Sequence, residues 1–324
     1  LGGAESGTIA RFAELAADHA YALSAYAEAG YHYRVVIEHI ETEISFSSAS
    51  DQRTYLIYLL ERLAECTMVS GKFEEARRLY ERLLDLSQAQ GMQSAYEAQR
   101  QALLWGEIGW TWRYMADIAR ARECCERGEQ ILREADVMTG PAWGRLRYEQ
   151  SSLYLVEGRY EEARLSAREA LVFFEQPGLA TESLSTVRST RIQRTLAGNP
   201  VDLGQVYGYM GPLASGEGRR TEALNHLKTA LTIFEQYDDK RRIAHVSCNL
   251  GNVYLKKTDY GQAQAAFRRS LNLAEQLGDD PLKSVIYSNF GELAAVTGDL
   301  EEAERWYRKA LEFTTLTHDR EYIS

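Results

Sequence analysis

A phrase of six residues keeps returning along this chain: a small residue, a charged one, a bulky one, two more, and then alanine. It reads Gly71-Lys72-Phe73-Glu74-Glu75-Ala76, Gly158-Arg159-Tyr160-Glu161-Glu162-Ala163, Gly218-Arg219-Arg220-Thr221-Glu222-Ala223 and Gly298-Asp299-Leu300-Glu301-Glu302-Ala303. Looser copies open at Thr258, Ala116 and Gly30. The steps between first residues are 41, 45, 42, 60, 40 and 40. A period of this size marks a solenoid, in which each unit buries its apolar face only against its neighbours. The chain is thereby confined to a row of stacked units, an architecture that points to a binding surface without naming what is bound.

Each copy of the phrase divides two helical stretches. Before Gly298, residues 285–296 carry apolar side chains at helical spacing, and residues 300–311 after it are amphipathic in the same sense. Gly298 is therefore expected to end the first helix in a left-handed conformation. Gly291 and Ala303 are small where two helices must approach closely. Gly251, Gly211 and Gly109 hold the place of Gly291, with Ala64 and Ser151 as small substitutes. Phe267 and Tyr80 match Tyr307; Leu271, Leu231, Leu171 and Leu84 match Leu311; Ala230 and Ala170 match Ala310. The expectation is an all-α, right-handed α-solenoid of about seven antiparallel helix pairs.

These positions resemble the tetratricopeptide repeat (TPR), whose superhelix is built of such pairs. The likeness extends over roughly residues 10 to 320 and is plainest in the last two copies. Two departures stand out. The period is about 40 residues instead of 34, without the closing proline, which resembles the subclass in kinesin light chains, Pins-type polarity adaptors and bacterial peptide-pheromone receptors. The phrase Asn249-Leu250-Gly251-Asn252 with Asn289-Phe290-Gly291 resembles that subclass most closely. The second departure is the 60-residue step from Gly158 to Gly218, which holds about 20 extra residues with Arg188, Arg191 and Arg194 on one potential helical face. They read either as a solvated helix or loop, or as a docking element on the edge of the solenoid. The expected organisation is thus N-terminal repeats over 1–175 with a degenerate first pair, an insertion over 176–200, and C-terminal repeats over 201–324. The chain begins Leu1-Gly2-Gly3, and Asp319 stands 40 residues after Asp279 as if a further helix opened there. The array is therefore expected to continue past residue 324, with self-association possible through an unfinished end.

Composition limits the partners. With 37 Lys and Arg against 47 Asp and Glu, the net charge is −10, which disfavours nucleic acid and anionic membrane surfaces. No apolar stretch approaches the roughly 20 residues that cross a bilayer. The four cysteines have no zinc or redox spacing, and adjacent Cys124 and Cys125 read as small hydrophobes on an inner helix face. A reducing, cytoplasmic home is expected. No catalytic constellation, metal site or cofactor site is expected. Gly204, Gly208, Gly211, Gly216 and Gly218 lack the Gly-Lys-Ser/Thr ending of a phosphate-binding loop, and with Pro212 they predict an irregular helix or a flexible joint. His39 and Glu43, four apart, lack a second ligand pair and read as surface residues.

The candidate site is the concave face lined by the first helix of each pair, where an extended peptide or a helix can lie. In register, that face displays Tyr58, Glu61, Arg62 and Glu65; Glu107 and Trp110; Arg145, Tyr148 and Glu149; Tyr209; His245, Asn249, Asn252 and Lys256; and Asn289 and Glu292. Asn249 and Asn289 share a repeat position and either hold a peptide backbone through their amides or bridge neighbouring helices. In chaperone-binding relatives an asparagine-and-lysine clamp grips a C-terminal carboxylate. Asn252 and Asn289 match its amides, but Lys256 is the sole nearby lysine of this register, so chaperone-tail binding is not expected. The resemblance implies a non-enzymatic protein- or peptide-binding scaffold belonging to a larger regulatory protein. By analogy of pattern, it also implies a second possibility: the sensor arm of a bacterial STAND-type ATPase regulator, or of an effector enzyme, that binds a short peptide or small ligand.

Overall fold

The computed structural model describes the backbone of residues 2–42, 49–88, 94–176 and 189–323, and side chains over 7–41, 51–88, 94–176 and 189–313. It divides into two compact units, Leu1–Asn199 and Pro200–Ser324. Among the described residues every regular element is a helix. The first unit holds α1 (Gly2–Ala22), α2 (Tyr26–Thr42), α3 (Ala49–Val69), α4 (Phe73–Gln88), α5 (Ala95–Tyr114), α6 (Ile118–Glu134), α7 (Pro141–Val156), α8 (Tyr160–Phe174) and α9 (Arg191–Leu196). The second holds α10 (Pro200–Gly216), α11 (Arg220–Gln236), α12 (Lys240–Lys256), α13 (Tyr260–Leu277), α14 (Asp280–Thr297) and α15 (Leu300–Ile323). Apart from α9, consecutive helices pack as antiparallel pairs, and each pair packs on the next within its unit.

The repeated phrase is the turn inside each pair. Its first residue is left-handed every time: φ is +77° at Gly71, +74° at Gly158, +78° at Gly218 and +90° at Gly298. Ala116 and Thr258 hold the same place at φ +60° although they carry a Cβ. The backbone closes as a six-residue cap, with the Asp299 N–H donating to the Ala294 carbonyl at 3.0 Å and the Lys72 N–H to that of Thr67 at 3.0 Å. The next residue starts the second helix. Where it is aspartate, as at Asp117, Asp259 and Asp299, its carboxylate accepts the N–H three residues on. The closing alanines Ala76, Ala121, Ala163, Ala223, Ala263 and Ala303 are all buried.

The second helices carry one apolar stripe each. In α4 the buried residues are Ala76, Tyr80, Leu83, Leu84 and Ser87, at helical spacing. Its other side is ionic, with Arg77 at 2.7 Å from Glu74 and 2.6 Å from Glu81. Such pairs contribute only a few tenths of a kcal/mol each, so the buried stripe decides the fold. The first helices are buried on more than one side, because they touch both their own partner and the first helix of the neighbouring pair: α5 meets α7, α10 meets α12 and α12 meets α14.

Several expectations are corrected. The phrase at Gly30 is no turn: Gly30 lies inside α2 against Cys66, and the first pair turns at Ser24, with φ +61°. The glycine-rich stretch forms a continuous 17-residue helix, α10, with Pro212 exposed inside it. Its glycines seat partner side chains: a Cβ on Gly204 would meet Phe234 at 2.8 Å and one on Gly211 would meet Leu227 at 2.4 Å. Residues 300–323 form one helix, so no new helix opens at Asp319. Three of the small residues in the first helices have a different cause from the one expected: Gly211, Gly251 and Gly291 accommodate the side chain four residues after the closing alanine, Leu227, Phe267 and Tyr307. Gly109, which faces the Ala121 carbonyl at 3.1 Å, and Ser151, whose hydroxyl donates to the Ala163 carbonyl at 2.5 Å, do lie against the backbone of the second helix. Glu43 and Arg188 fall outside the described residues.

Candidate functional site

The first unit brings its predicted residues together and then covers them. Tyr58, Glu61, Arg62 and Glu65 lie on α3, Glu107 and Trp110 on α5, and Arg145, Tyr148 and Glu149 on α7. Glu61, Arg62, Glu65, Glu107, Arg145 and Glu149 are buried, contrary to the open groove expected of them. α9 packs on α3, α5 and α7 and covers Glu61, Glu65 and Glu107, while Tyr21 of α1 lies over Arg62 at 3.8 Å. The Thr190 hydroxyl donates to Glu61, the Arg191 backbone N–H donates to Glu65, and the Arg191 guanidinium donates to Glu107 at 3.1 Å. Arg194 stands 3.7 Å from Glu65. Ile192 and Leu196 are buried beside these polar contacts.

The carboxylates are also tied to their own walls. Arg100 donates to Glu61 at 2.7 Å, and Arg145 lies 2.9 Å from Glu149 and 3.4 Å from Glu107. Tyr21 of α1 donates to Glu65 at 2.5 Å. Two guanidinium groups share the indole of Trp110: Arg145 at 4.7 Å and Arg191 at 4.4 Å from its centroid. Burial pushes the Glu61 and Glu107 carboxyls up from the ordinary glutamate value, against the opposing pull of Arg100 on one and of Arg191 and Arg145 on the other. This face is a buried charge network whose geometry depends on every partner being present.

The second unit carries an open face. On α12, His245, Asn249, Asn252 and Lys256 follow one another at steps of four, three and four, a single line along the helix. One period on, α14 repeats the line as Val285, Asn289, Glu292 and Val296; one period back, α10 gives Gln205, Tyr209, Pro212 and Gly216. His245, Lys256, Val285, Glu292 and Val296 are exposed, and Tyr209 and the three asparagines are half-buried. The two aligned asparagines differ in employment. Asn289 donates to the Cys248 Sγ at 3.2 Å, bridging α14 to α12, whereas Asn249 and Asn252 have no side-chain hydrogen bond within the described residues. His245 stands 3.8 Å from Asp279, the N-cap of α14.

A family model described as the tetratricopeptide repeat matches residues 202–276 and again residues 242–316, the region that carries these aligned lines. Residues 202–316 are thus similar to the tetratricopeptide repeat. Over 115 residues it is 24% identical to the regulatory protein RapG of Bacillus subtilis strain 168, a match covering 35% of this chain and 32% of RapG. The chain thus matches about a third of the length of that curated relative. Among solved structures, the Rap conjugation gene regulator of plasmid pLS20, in complex with a Phr peptide, superposes with TM-score 0.69 at 13% identity, over 96% of this chain and 74% of that one. A STAND ATPase with a tetratricopeptide-repeat sensor, from Pyrococcus horikoshii, gives TM-score 0.58 at 14% identity, over 96% of this chain and 41% of the other. At these identities the structures share the fold.

The residues that sequence reasoning missed belong to the first unit. Arg100 and Thr190 complete the Glu61 site, and Tyr21 completes the Glu65 site. The 60-residue step from Gly158 to Gly218 and the three-residue spacing of Arg191 and Arg194 were the available signals for α9. Among the described residues, no group of three or more His, Cys, Asp or Glu could hold a metal ion, and no helix is long and apolar enough to cross a membrane. All four cysteines are free and buried; burial pushes the Cys66 and Cys124 thiols up to about 12 and Cys248 to about 11.

Proposed function

We propose that this chain is a non-enzymatic peptide- or protein-binding scaffold, the repeat region of a cytoplasmic regulatory protein, and that the partner lies on the inner faces of α10, α12 and α14. The observation that carries this reading is the aligned pair Asn249 and Asn252, half-buried, without internal hydrogen bonds, and set between exposed His245 and Lys256. An asparagine side chain offers both a carbonyl acceptor and an amide donor pair, the complement of a peptide unit. Carboxamides on a first helix therefore hold a peptide main chain with little demand on its sequence, while Tyr209, Lys256 and Glu292 select side chains. The peptide complex of the pLS20 regulator, a protein of similar fold, supports this choice of ligand class.

The array also fits the sensor arm of a switch, in which a bound peptide or small ligand biases an ATPase or effector domain. The similar fold of the Pyrococcus ATPase sensor supports that version. Both versions place the ligand on the same face and share one test. A displayed random-peptide library is selected against the full chain, and the best peptide is titrated against wild type and the Asn249→Ala/Asn252→Ala variant. The expected loss is roughly tenfold or more in affinity, about 1.4 kcal/mol, with unchanged helicity. Equal affinity for both proteins, or a library that yields no binder, would overturn the reading.

A further inference from the structure

The inner face of the first unit holds a segment of the chain that belongs to no helix pair. The pairs α7/α8 and α10/α11 are each complete without it, and it accounts for the one 60-residue step among steps of 40 to 45. We propose that the α3–α5–α7 face is a recognition site for a short arginine-bearing helix opened by a hydroxyl residue. Residues 189–196 are its resident occupant, and a partner segment of the same chemistry binds there by displacing them. This site is separate from the α10–α12–α14 face and stands or falls independently of it.

The contacts are those a groove makes with a ligand. Three carboxylates on two different helices each accept a hydrogen bond from the segment: Glu61 from the Thr190 hydroxyl, Glu65 from the Arg191 N–H, and Glu107 from the Arg191 guanidinium. Arg191 stacks on Trp110, Arg194 faces Glu65, and Ile192 and Leu196 are the apolar anchors. Polar donors fix the register while the anchors supply burial, a division of labour typical of helix-in-groove recognition.

The segment does not hold its own shape. Thr190 caps it and Gln193 completes a capping box, yet α9 is only six residues long. Helices shorter than roughly 12 residues are marginal in water, so the groove imposes the conformation. The two arginines remain 17% and 29% exposed at the rim. Emptying the groove would leave three buried carboxylates short of donors, which costs free energy unless other donors enter. The site is thus selective for cationic, hydrogen-bond-donating segments. Its own occupant competes at the millimolar effective concentration of a tethered ligand, so binding in trans is suppressed until a stronger segment arrives.

The test uses a fluorescein-labelled peptide copying residues 189–199 and the full chain. Wild type is expected to bind it weakly. In the Arg191→Glu/Arg194→Glu chain the segment is repelled by Glu61, Glu65 and Glu107, and that chain is expected to bind the peptide about tenfold more tightly or better. The same peptide with both arginines changed to alanine should lose that gain. Equal binding by the two folded chains would overturn the proposal. Should circular dichroism show the variant unfolded, hydrogen exchange on wild type decides. Millimolar peptide should speed exchange of the Arg191–Leu196 amides, and unchanged protection there would overturn the proposal.

Discussion

At the scale of single residues, the room for one Cβ decides how closely two helices pack. A methyl at Gly251 would sit 2.3 Å from the Phe267 ring, which is wholly buried at 0% exposure. A methyl at Gly291 would meet Tyr307 at 2.7 Å, but that ring is 42% exposed and has room to swing away. Replacing glycine by alanine inside a helix gains up to about 1 kcal/mol of propensity. Overpacking a closed core costs about 1–3 kcal/mol. The two variants should therefore part: Gly251→Ala lowers stability by about 1 kcal/mol or more, and Gly291→Ala stays near neutral. Urea unfolding of the full chain measures both, and equal midpoints would show that the second helix does not press on the first as described. That these positions are small was legible in the sequence. The object they seat was not, because spacing along one helix cannot say whether the neighbour offers a backbone or a ring.

At the scale of elements, the turn inside each pair sets the geometry of everything the site displays. The sequence phrase located six of seven such turns because a left-handed residue must close each first helix, and glycine fills that place four times. The seventh turn, at Ser24, escaped because its residues carry none of the phrase, while Gly30 imitated it from inside α2. Thr258 is the strained member: a β-branched residue at φ +60°, exposed, whose hydroxyl bonds only the neighbouring Lys257 carbonyl at 2.6 Å. Left-handed backbone costs a residue with a Cβ roughly 1–2 kcal/mol. Thr258→Gly should raise stability by about 1 kcal/mol after glycine's own entropic cost, seen as a higher midpoint of thermal unfolding. An unchanged or lower midpoint would mean that this turn is not held as described. α10 teaches the converse lesson. Four glycines and a proline predict a broken helix by propensity, yet packing on Phe234, Leu227 and Val246 keeps it whole.

At the scale of the molecule, two inner faces built in one repeat register differ in what they display. In the first unit, acidic and aromatic residues on α3, α5 and α7 enclose a segment supplied by the chain itself. In the second, α10, α12 and α14 present aligned lines one period apart. Repeat register put the named residues on the first helices α3, α5, α7, α10, α12 and α14, since a fixed period carries each inner position to the next pair. It could not predict that one would be covered, because α9 lies outside the repeat and reaches Glu61 across 129 positions of sequence. Long-range closure of that kind leaves no periodic trace. The most direct measurement of the central claim is a hydrogen-exchange footprint of a selected peptide on the full chain. Slowed exchange confined to α12 and α14, with α10 at one end, is the predicted result. Slowed exchange on the second helices α11, α13 and α15, with the inner faces unchanged, would contradict the account.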